Sequence, residues 1–576
     1  MGLLNSALQI GRSALLTYQS ALQVVGSNVS SAGSPDYTRL SPELASLQGR
    51  LGAGELQPGA GVALDGIQRH IDEALESRIR LAVGSEQSAS TQQTTLAQVE
   101  ALIDDISGVD VSTRLGEFFN TFDEVQNRPE NTAIRDLAIT SGVQLAASLH
   151  NLREQLASLG ESLDGQIAEL VVDADDLAQR IARVNTEITT SEAGPNGQAT
   201  GLRDQRDALL RELSELVDLT VREQPNGALN VYIGSEALVQ GNVARDLVAV
   251  SATDGEVTRT SIRFADTNAQ VDVRAGRLAG LISSRDEHAY DRIADVDELA
   301  AAVIVEVNRV HADGQGVVGF TSLTGSQDLL ATDVPLDDSA AGLGVMPRNG
   351  SFYMTVVDDQ TNTPIAYRID VELGAQEQGT TLEALVADVN AQVEGVTASI
   401  TSDNKISFTA IEGVTFTFGH DGQVARADTS NILAALGVNT FFSGTSAEDI
   451  SVSAALVEQP ALLAASSSFI VGDGANAGRM AALSTEKSTQ LDGASITEFY
   501  STIAASIAVD GAAVADKAEV AAAVASSLQQ QKESISGVNL DEEAISLLKY
   551  ERAFQGASRF VRVVDDLLNQ LILLIR

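Results

Sequence analysis

Apolar residues recur at intervals of three and four positions at both ends of the chain, the spacing of one face of an α-helix. Residues 3–30 carry such a stripe in a heptad pattern, which predicts a long amphipathic helix. Residues 540–576 carry a second stripe, after Asn539 as a helix cap and Glu542 at capping-box spacing. The stripe residues are Leu4, Leu8, Leu15, Tyr18, Leu22, Val25, Val29, Leu547, Tyr550, Phe554, Val561, Val564, Leu568, Leu571 and Ile575.

Both stripes need a partner surface. Burial of one large apolar side chain contributes roughly 1.5–3 kcal/mol, whereas ordering the backbone costs about 1–2 kcal/mol per residue. An isolated amphipathic helix is therefore marginal until its stripe is covered. We expect the two terminal helices to pack on each other and on other copies of the chain, so that the stripe residues form an assembly interface.

Helical spacing also dominates much of the interior. Pro129 interrupts one helical region, after which a helix is expected over residues 133–159 and a further stripe over 167–188. A turn is predicted at 194–197, and Arg203 and Asp207 follow on the next helix, four positions apart, where they can pair. The helical regions cover residues 71–106, most of 112–217, 278–311 and 485–535.

Strand signals occupy two other regions. Residues 219–275 contain short β-rich segments separated by turn residues, and residues 317–430 contain more of them. Within the second region, Asp403 and Asn404 separate two alternating segments and predict a hairpin, and residues 382–393 predict one short helix.

This order of elements predicts an α+β multidomain protein. It has long coiled-coil-like helices from both termini, a central helical hairpin domain and inserted antiparallel β domains. The expected division is a terminal helical domain (residues 1–40 with 536–576), a helical core domain (41–316 with 440–535, including a small β part near 219–275) and an inserted outer β-rich domain (317–439).

The composition of the chain excludes several classes of binding partner and of chemistry. The formal net charge of −42 argues against nucleic acid and against anionic membrane surfaces. The absence of cysteine excludes disulfides and thiolate chemistry. No run approaches the ~18 apolar residues of a membrane span, and the N-terminal residues lack the basic and apolar regions of a secretory signal. We therefore expect no membrane partner, and any export to use no cleaved secretory signal.

The sequence offers little catalytic chemistry. The five histidines show no metal-ligand spacing, and adjacent acidic pairs are expected by chance among 79 acidic residues. Residues 472–477 favour a turn over a calcium loop because they lack EF-hand spacing. We predict no catalytic, cofactor-binding or metal-binding residues, and no enzymatic activity.

Motifs at both ends resemble the rod, hook and hook-associated proteins of bacterial flagella. Residues 28–39 resemble the shared N-terminal signature, with Asp36 where the family usually has glycine, and residues 536–543 are close to the family's ending. The interior motifs resemble the hook-associated protein 1 family in particular. They are Phe118-Phe119 with Pro129 and Arg135, residues 202–207, residues 276–281 with Arg285-Asp286, and residues 436–444. The resemblance covers nearly the whole chain except roughly residues 320–430.

The resemblance implies a structural subunit at the hook–filament junction. Terminal helices would form the inner tube of the axial structure, with β domains facing outward. Implied partners are other copies of the chain, the hook protein, the third hook-associated protein, a cytosolic export chaperone on the C-terminal helix and the flagellar type III export apparatus. The implied location is the extracellular flagellum, after a cytoplasmic stage before export.

Two alternatives remain open at this point. The chain could be another axial flagellar protein, namely the hook protein or the third hook-associated protein, which a position along the flagellum would distinguish. It could instead be a secreted adhesin or enzyme that uses the inserted β domain, in which case residues 317–430 should hold a ligand pocket with perturbed titratable groups.

Overall fold

The structure is a computed structural model that describes residues 2–34, 37–47, 59, 61–103, 110–194, 199–254, 257–374, 379–421 and 424–575. The helices are α1 (Gly2–Ser30), α2 (Glu73–Ile103), α3 (Val111–Asn127), α4 (Thr132–Glu192), α5 (Thr200–Leu216), α6 (Gly276–Ser283), α7 (Asp291–Ala312), α8 (Leu382–Gln392), α9 (Ile432–Ala435), α10 (Ala454–Glu458), α11 (Ala475–Ala482), α12 (Ile496–Ser536) and α13 (Leu540–Ile575). A π-helix spans Ser284–Tyr290, and 3₁₀-helices span Ser339–Ala341 and Pro460–Leu462.

The strands are β1 (Leu40–Leu47), β2 (Gly61–Arg69), β3 (Thr220–Glu223), β4 (Leu229–Ile233), β5 (Glu236–Gln240), β6 (Val243–Ala244), β7 (Leu247–Asp254), β8 (Val257–Phe264), β9 (Ser322–Thr324), β10 (Gly350–Asp358), β11 (Thr363–Val371), β12 (Val396–Ile400), β13 (Ile406–Ala410), β14 (Val414–Phe418), β15 (Phe442–Ser443) and β16 (Ser451–Val452). They pair antiparallel in small sheets of order β1-β2, β3-β4-β5-β6, β7-β8, β11-β10-β14, β12-β13-β9 and β15-β16. The predicted α+β class is confirmed.

Contacts divide the chain into two compact units. The first comprises Met1–Thr95, Glu161–Arg285 and Ala512–Arg576, and the second comprises Leu96–Gly160 and Asp286–Gly511. The three-domain division expected from the sequence stays a prediction. No described helix is both long and apolar enough to cross a membrane.

In the first unit, α1 packs along α13 and against the β1-β2 hairpin. The Thr17 hydroxyl of α1 donates a hydrogen bond to the Val62 carbonyl of β2 at 3.1 Å. A separate apolar cluster joins α2 to α12 and consists of Leu75, Ile79, Ala82, Ala525 and Leu528. The long helices are therefore held by small apolar seams of the kind that the sequence pattern predicts.

In the second unit, aromatic rings from distant parts of the chain form the core. The ring of Phe118 lies 5.4 Å from that of Phe441 and 5.5 Å from that of Phe442. Asn308 of α7 accepts from the backbone N–H of Phe441 (3.0 Å) and Phe442 (2.8 Å) and donates to the Phe442 carbonyl (2.8 Å). This one buried amide therefore fixes the backbone that carries two core rings.

Several local predictions are confirmed and one is wrong. Strands β3 and β4, the β12-β13 hairpin with Asn404 at φ 58°, and helix α8 lie where the sequence places them. Arg203 does not use Asp207 as its partner: it pairs with Glu192 and Glu223, both at 2.8 Å. Glu192 is the last residue of α4 and Glu223 lies on β3, so tertiary contacts override the helical pairing.

Two helical regions differ in detail from the expectation. Residues 133–188 lie in one continuous helix, α4, although Gly160 stands in its middle. The ring of Tyr290 packs directly over Gly160, since a Cβ there would lie 2.2 Å from the ring. The expected helix over 278–311 is divided by the π-helix, and most of the predicted turn at 194–197, like Asp36, lies outside the described residues.

Candidate assembly interface

Helices α1 and α13 form the pair that the two apolar stripes predict. Val25 on α1 and Val564 on α13 are buried, with exposures of 2% and 4%. The helices approach closely at Gly11, where a Cβ would lie 2.5 Å from Cγ2 of Val561. Because valine is stiff about χ1, this crossing admits only a residue without a side chain.

The other predicted stripe residues are only partly covered. Val29 and Leu547 are exposed, at 44% and 41%, and the side chain of Ile575 lies outside the described residues. The half-buried members are Leu4, Leu8, Leu15, Tyr18, Leu22, Tyr550, Phe554, Val561, Leu568 and Leu571. The structure thus brings the two stripes together, while their role as an interface between copies stays a prediction.

Further apolar side chains on α13 face solvent beside this seam. Large exposed apolar groups are common singly, but a concentration of them on one helix marks an interaction surface. We call this set of residues the α13 outer stripe; within it Phe560, Val563 and Leu567 follow at i, i+3 and i+7 on one face of the helix. It consists of Ile545, Leu548, Phe560, Val563, Leu567, Ile572 and Leu573, with exposures between 43% and 72%.

A buried polar cluster joins the end of α1 to the start of α13. The Asn28 side chain accepts from the Leu40 backbone N–H (3.0 Å) and donates to the Leu40 carbonyl (2.8 Å) and to Glu543 (3.0 Å). Tyr37 donates its hydroxyl to the Asn28 carbonyl oxygen at 2.8 Å. Burial raises the pKa of Tyr37, and the carboxylates of Asp204 and Glu543 raise it further. Tyr37 therefore stays a neutral donor.

Arg39 completes this terminal polar cluster (Asn28, Tyr37, Arg39, Glu542 and Glu543). Its Nε lies 2.8 Å from buried Glu543, and its Nη1 lies 2.7 Å from exposed Glu542. The Asn539 side chain caps α13 by accepting from the Asp541 N–H at 3.0 Å. Both glutamates lie in the first turn of α13, where the helix dipole favours anions. Glu542, predicted to complete a capping box, thus serves the ion pair with Arg39.

A second polar group ties β2 to α5. One terminal nitrogen of Arg69 lies 2.6 Å from Asp204 and 2.5 Å from Asp207, and 3.4 Å from the Thr38 hydroxyl. Burial lowers the pKa of Arg69, but the two carboxylates outweigh burial and raise it overall. Burial also raises the pKa of Asp204, an effect that Arg69 partly offsets. The N-terminal motif is therefore anchored on two sides by paired charges.

The sequence pattern did not identify these polar residues as functional. Asn28, Arg39 and Glu543 fall inside the motifs on which the resemblance rests, but nothing in the pattern indicated that they contact one another. Glu543 is 2% exposed although it stands in a run of three acidic residues. Asn28 stands next to the stripe position Val29 rather than in the stripe, so the heptad spacing gave no signal for it.

The part of the chain that the structure describes forms no cluster suited to a metal ion. No group of three or more His, Asp or Glu side chains there is arranged to hold a metal ion. Gly472 lies in a turn, as predicted, but residues 475–477 already belong to α11. The Asp473 carboxylate accepts from the N–H groups of Ser467, Ser468 and Ala475. That carboxylate is occupied in closing the turn before α11.

Comparisons with known proteins agree with the motifs. The family model "Flagellar hook-associated protein FlgK helical domain" matches residues 96–325, "Flagellar basal body rod FlgEFG protein C-terminal" matches 529–574, and "Flagellin hook IN motif" matches 352–412. The last match lies within residues 320–430, where the sequence motifs showed no resemblance.

Curated relatives match over nearly the whole length. Flagellar hook-associated protein 1 of Salmonella typhimurium is 24% identical and that of Escherichia coli is also 24% identical, each over 99% of this chain and 100% of the relative. The Bacillus subtilis protein is 23% identical over 90% of this chain and 86% of its own length. The solved structure of the flagellar hook junction protein FlgK from Burkholderia pseudomallei has a similar fold, with a TM-score of 0.52 at 14% identity, covering 80% of this chain and 100% of that one.

Proposed function

The chain belongs to the flagellar hook-associated protein 1 family, and from this premise we propose that it is a structural subunit joining the flagellar hook to the filament. The observation that carries the proposal is the pair of terminal helices, fixed by the terminal polar cluster yet leaving the α13 outer stripe in solvent. Seven exposed large apolar side chains on one helix are an unfavourable surface for a free protein. Neighbouring copies packed around a common axis would cover it.

Burial of this stripe supplies the driving force for assembly. Apolar surface removed from water contributes roughly 25 cal/mol per Å², while the net charge of −42 makes copies repel one another. The proposed partners are other copies of this chain, the hook protein and the third hook-associated protein. We place the assembled protein in the extracellular flagellum and assign it no enzymatic activity.

Export precedes assembly in this proposal. Type III export of an unfolded chain would leave both apolar stripes uncovered, which favours aggregation before assembly. A cytosolic chaperone that covers the C-terminal helix would prevent this. The exposed apolar residues of α13 give such a chaperone a surface that remains available even when α1 is already paired.

The test is a double substitution on the outer stripe. Val563→Ser with Leu567→Ser removes two side chains that are 56% and 48% exposed, so the fold of one copy is preserved. A strain that carries this variant as its only copy should export the protein but lose the hook–filament junction and swim poorly. Motility plates and electron microscopy of the flagella measure the outcome.

The matched control is Val172→Ser on α4, where the side chain is 67% exposed and lies outside the terminal helices. The control should swim normally. Normal motility and intact filaments in the double variant would refute the role of the outer stripe. Immunogold labelling locates the protein along the flagellum. A junction subunit should be labelled between the hook and the filament, whereas another axial protein would be labelled along the hook or at another position.

A further inference from the structure

A cavity in the second unit contains a buried cation without an anion. Arg135, in the first turns of α4, is 1% exposed and lines a cavity of about 430 Å³. Its Nε donates to the Pro129 carbonyl at 2.6 Å and its Nη1 to the Leu463 carbonyl at 2.5 Å. Among the residues that the structure describes, no carboxylate forms an ion pair with this guanidinium.

A buried charge without a counter-charge is costly, because the lost hydration is not replaced by an opposite charge. Burial alone lowers the pKa of Arg135, to about 10. The carboxylates of Glu130 and Asp359 line the same cavity, but both residues are exposed and neither contributes to that shift. The two backbone carbonyls satisfy hydrogen bonds of Arg135 and leave its charge unbalanced.

Part of the rim of the same cavity is apolar and exposed. Val317, Val318, Ile470 and Val471 line it with exposures of 57%, 36%, 62% and 89%. These residues come from two loops that are far apart in the chain, so their meeting is a property of the fold. Exposed aliphatic groups around a polar centre are typical of a site that binds a partner.

We propose that this cavity docks an acidic segment of another polypeptide, with one Asp or Glu carboxylate on Arg135 and aliphatic neighbours on the rim. Guanidinium binds carboxylate through parallel hydrogen bonds that an amide cannot reproduce with equal strength. The inference does not depend on the proposed assembly function, since none of the residues that line the cavity belongs to α1 or α13.

The experiment selects peptides from a random heptapeptide display library on the immobilised full-length protein. We expect enrichment of an Asp or Glu flanked by Val, Ile or Leu. The best selected peptide, made synthetically, should bind at least tenfold more tightly than its Asp→Asn or Glu→Gln analogue in isothermal titration calorimetry.

Variants locate the site. The double substitution Ile470→Ser with Val471→Ser changes only exposed side chains and should weaken peptide binding at least tenfold, as should Arg135→Lys. Val457→Ser, 52% exposed in the same unit but outside the cavity, is the matched control and should bind normally.

Three results would overturn the proposal. The library could yield no acidic enrichment, or the selected peptide could bind the Ile470/Val471 variant as tightly as the unmodified protein. Sodium acetate or phosphate could also bind as tightly as the peptide, which would make the cavity a small-anion site. If Arg135→Lys fails to fold, the exposed rim variant still decides between these outcomes.

Discussion

The neighbouring glutamates at the start of α13 offer a direct test of what fixes the terminal helices. Both contact Arg39 at nearly the same distance, 2.7 Å for Glu542 and 2.8 Å for Glu543. They differ in environment: Glu542 is 55% exposed, whereas Glu543 is 2% exposed and also accepts from Asn28. A comparison of Glu543→Ala with Glu542→Ala therefore isolates the effect of burial.

The expected magnitudes follow from these environments. Glu543→Ala removes two hydrogen bonds to a buried carboxylate, each worth about 1.5–3 kcal/mol because a charge is involved. Arg39 keeps Glu542 as a partner, which offsets one of the two lost bonds, and Asn28 keeps its bonds to the Leu40 backbone. The uncompensated loss is the bond from Asn28, so we expect about 2 kcal/mol. Glu542→Ala removes a surface ion pair, which is worth about 0–1 kcal/mol.

Hydrogen exchange followed by mass spectrometry measures the local effect. A loss of about 2 kcal/mol raises the population of the open state of α13 by about 30-fold, since 1.4 kcal/mol is a factor of ten. Amides in α13 should exchange faster by that factor in Glu543→Ala and change little in Glu542→Ala. Equal acceleration in both variants, or none in Glu543→Ala, would refute the assignment of the buried carboxylate as the anchor.

Three further predictions test the packing of the helices and the buried polar side chains. Gly11→Ala should lower the free energy of unfolding of the first unit by about 1–3 kcal/mol, because its Cβ meets Val561. Gly26→Ala, in open space on the same helix, should be neutral or stabilising by up to about 1 kcal/mol, and urea unfolding compares the two variants. Asn308→Ala leaves the backbone groups that it holds unpaired and should lower the melting temperature of the second unit, at a cost of at least about 2 kcal/mol. Burial lowers the pKa of His311 to about 4. The neutral ring therefore contributes fully to stability above about pH 6.5, and this contribution, at most roughly 3 kcal/mol, is lost as pH falls toward 4. In urea titrations, the free energy of unfolding of the His311→Gln variant should fall less between pH 7 and 5 than that of the unmodified protein.

The elements set by local periodicity were predictable. Helices α1 and α13 follow from heptad stripes, and the β12-β13 hairpin follows from alternation around Asn404, whose backbone adopts a positive φ. The continuity of α4 was not predictable, because Gly160 reads as a weak point in a helix. Only its contact with Tyr290 shows why a residue without a side chain is needed there.

The polar anchors lay beyond sequence reasoning for a different reason. A pairing four residues apart on a helix surface gains only ~0.3–0.5 kcal/mol, so a better-buried partner readily replaces it. Arg203 accordingly pairs with Glu192 and Glu223, and Asp207 forms its ion pair with Arg69. Which carboxylate pairs with each arginine depends on which carboxylates lie nearby in the folded protein, and spacing along the sequence does not reveal this. The π-helix at Ser284–Tyr290 was hidden for another reason: its only apolar residues are the adjacent Ala289 and Tyr290, so the segment carries no periodicity from which a helix type can be predicted.

The terminal polar cluster and the outer stripe perform separate tasks. Buried, directional hydrogen bonds such as those of Asn28 permit only one register, because a slip would leave Glu543 buried without its partners. Apolar contacts supply energy but tolerate sliding. A subunit that must meet identical neighbours needs its exposed stripe at one fixed angle, and the polar cluster provides that angle. The proposed assembly surface therefore depends on residues that an assembly partner never has to touch.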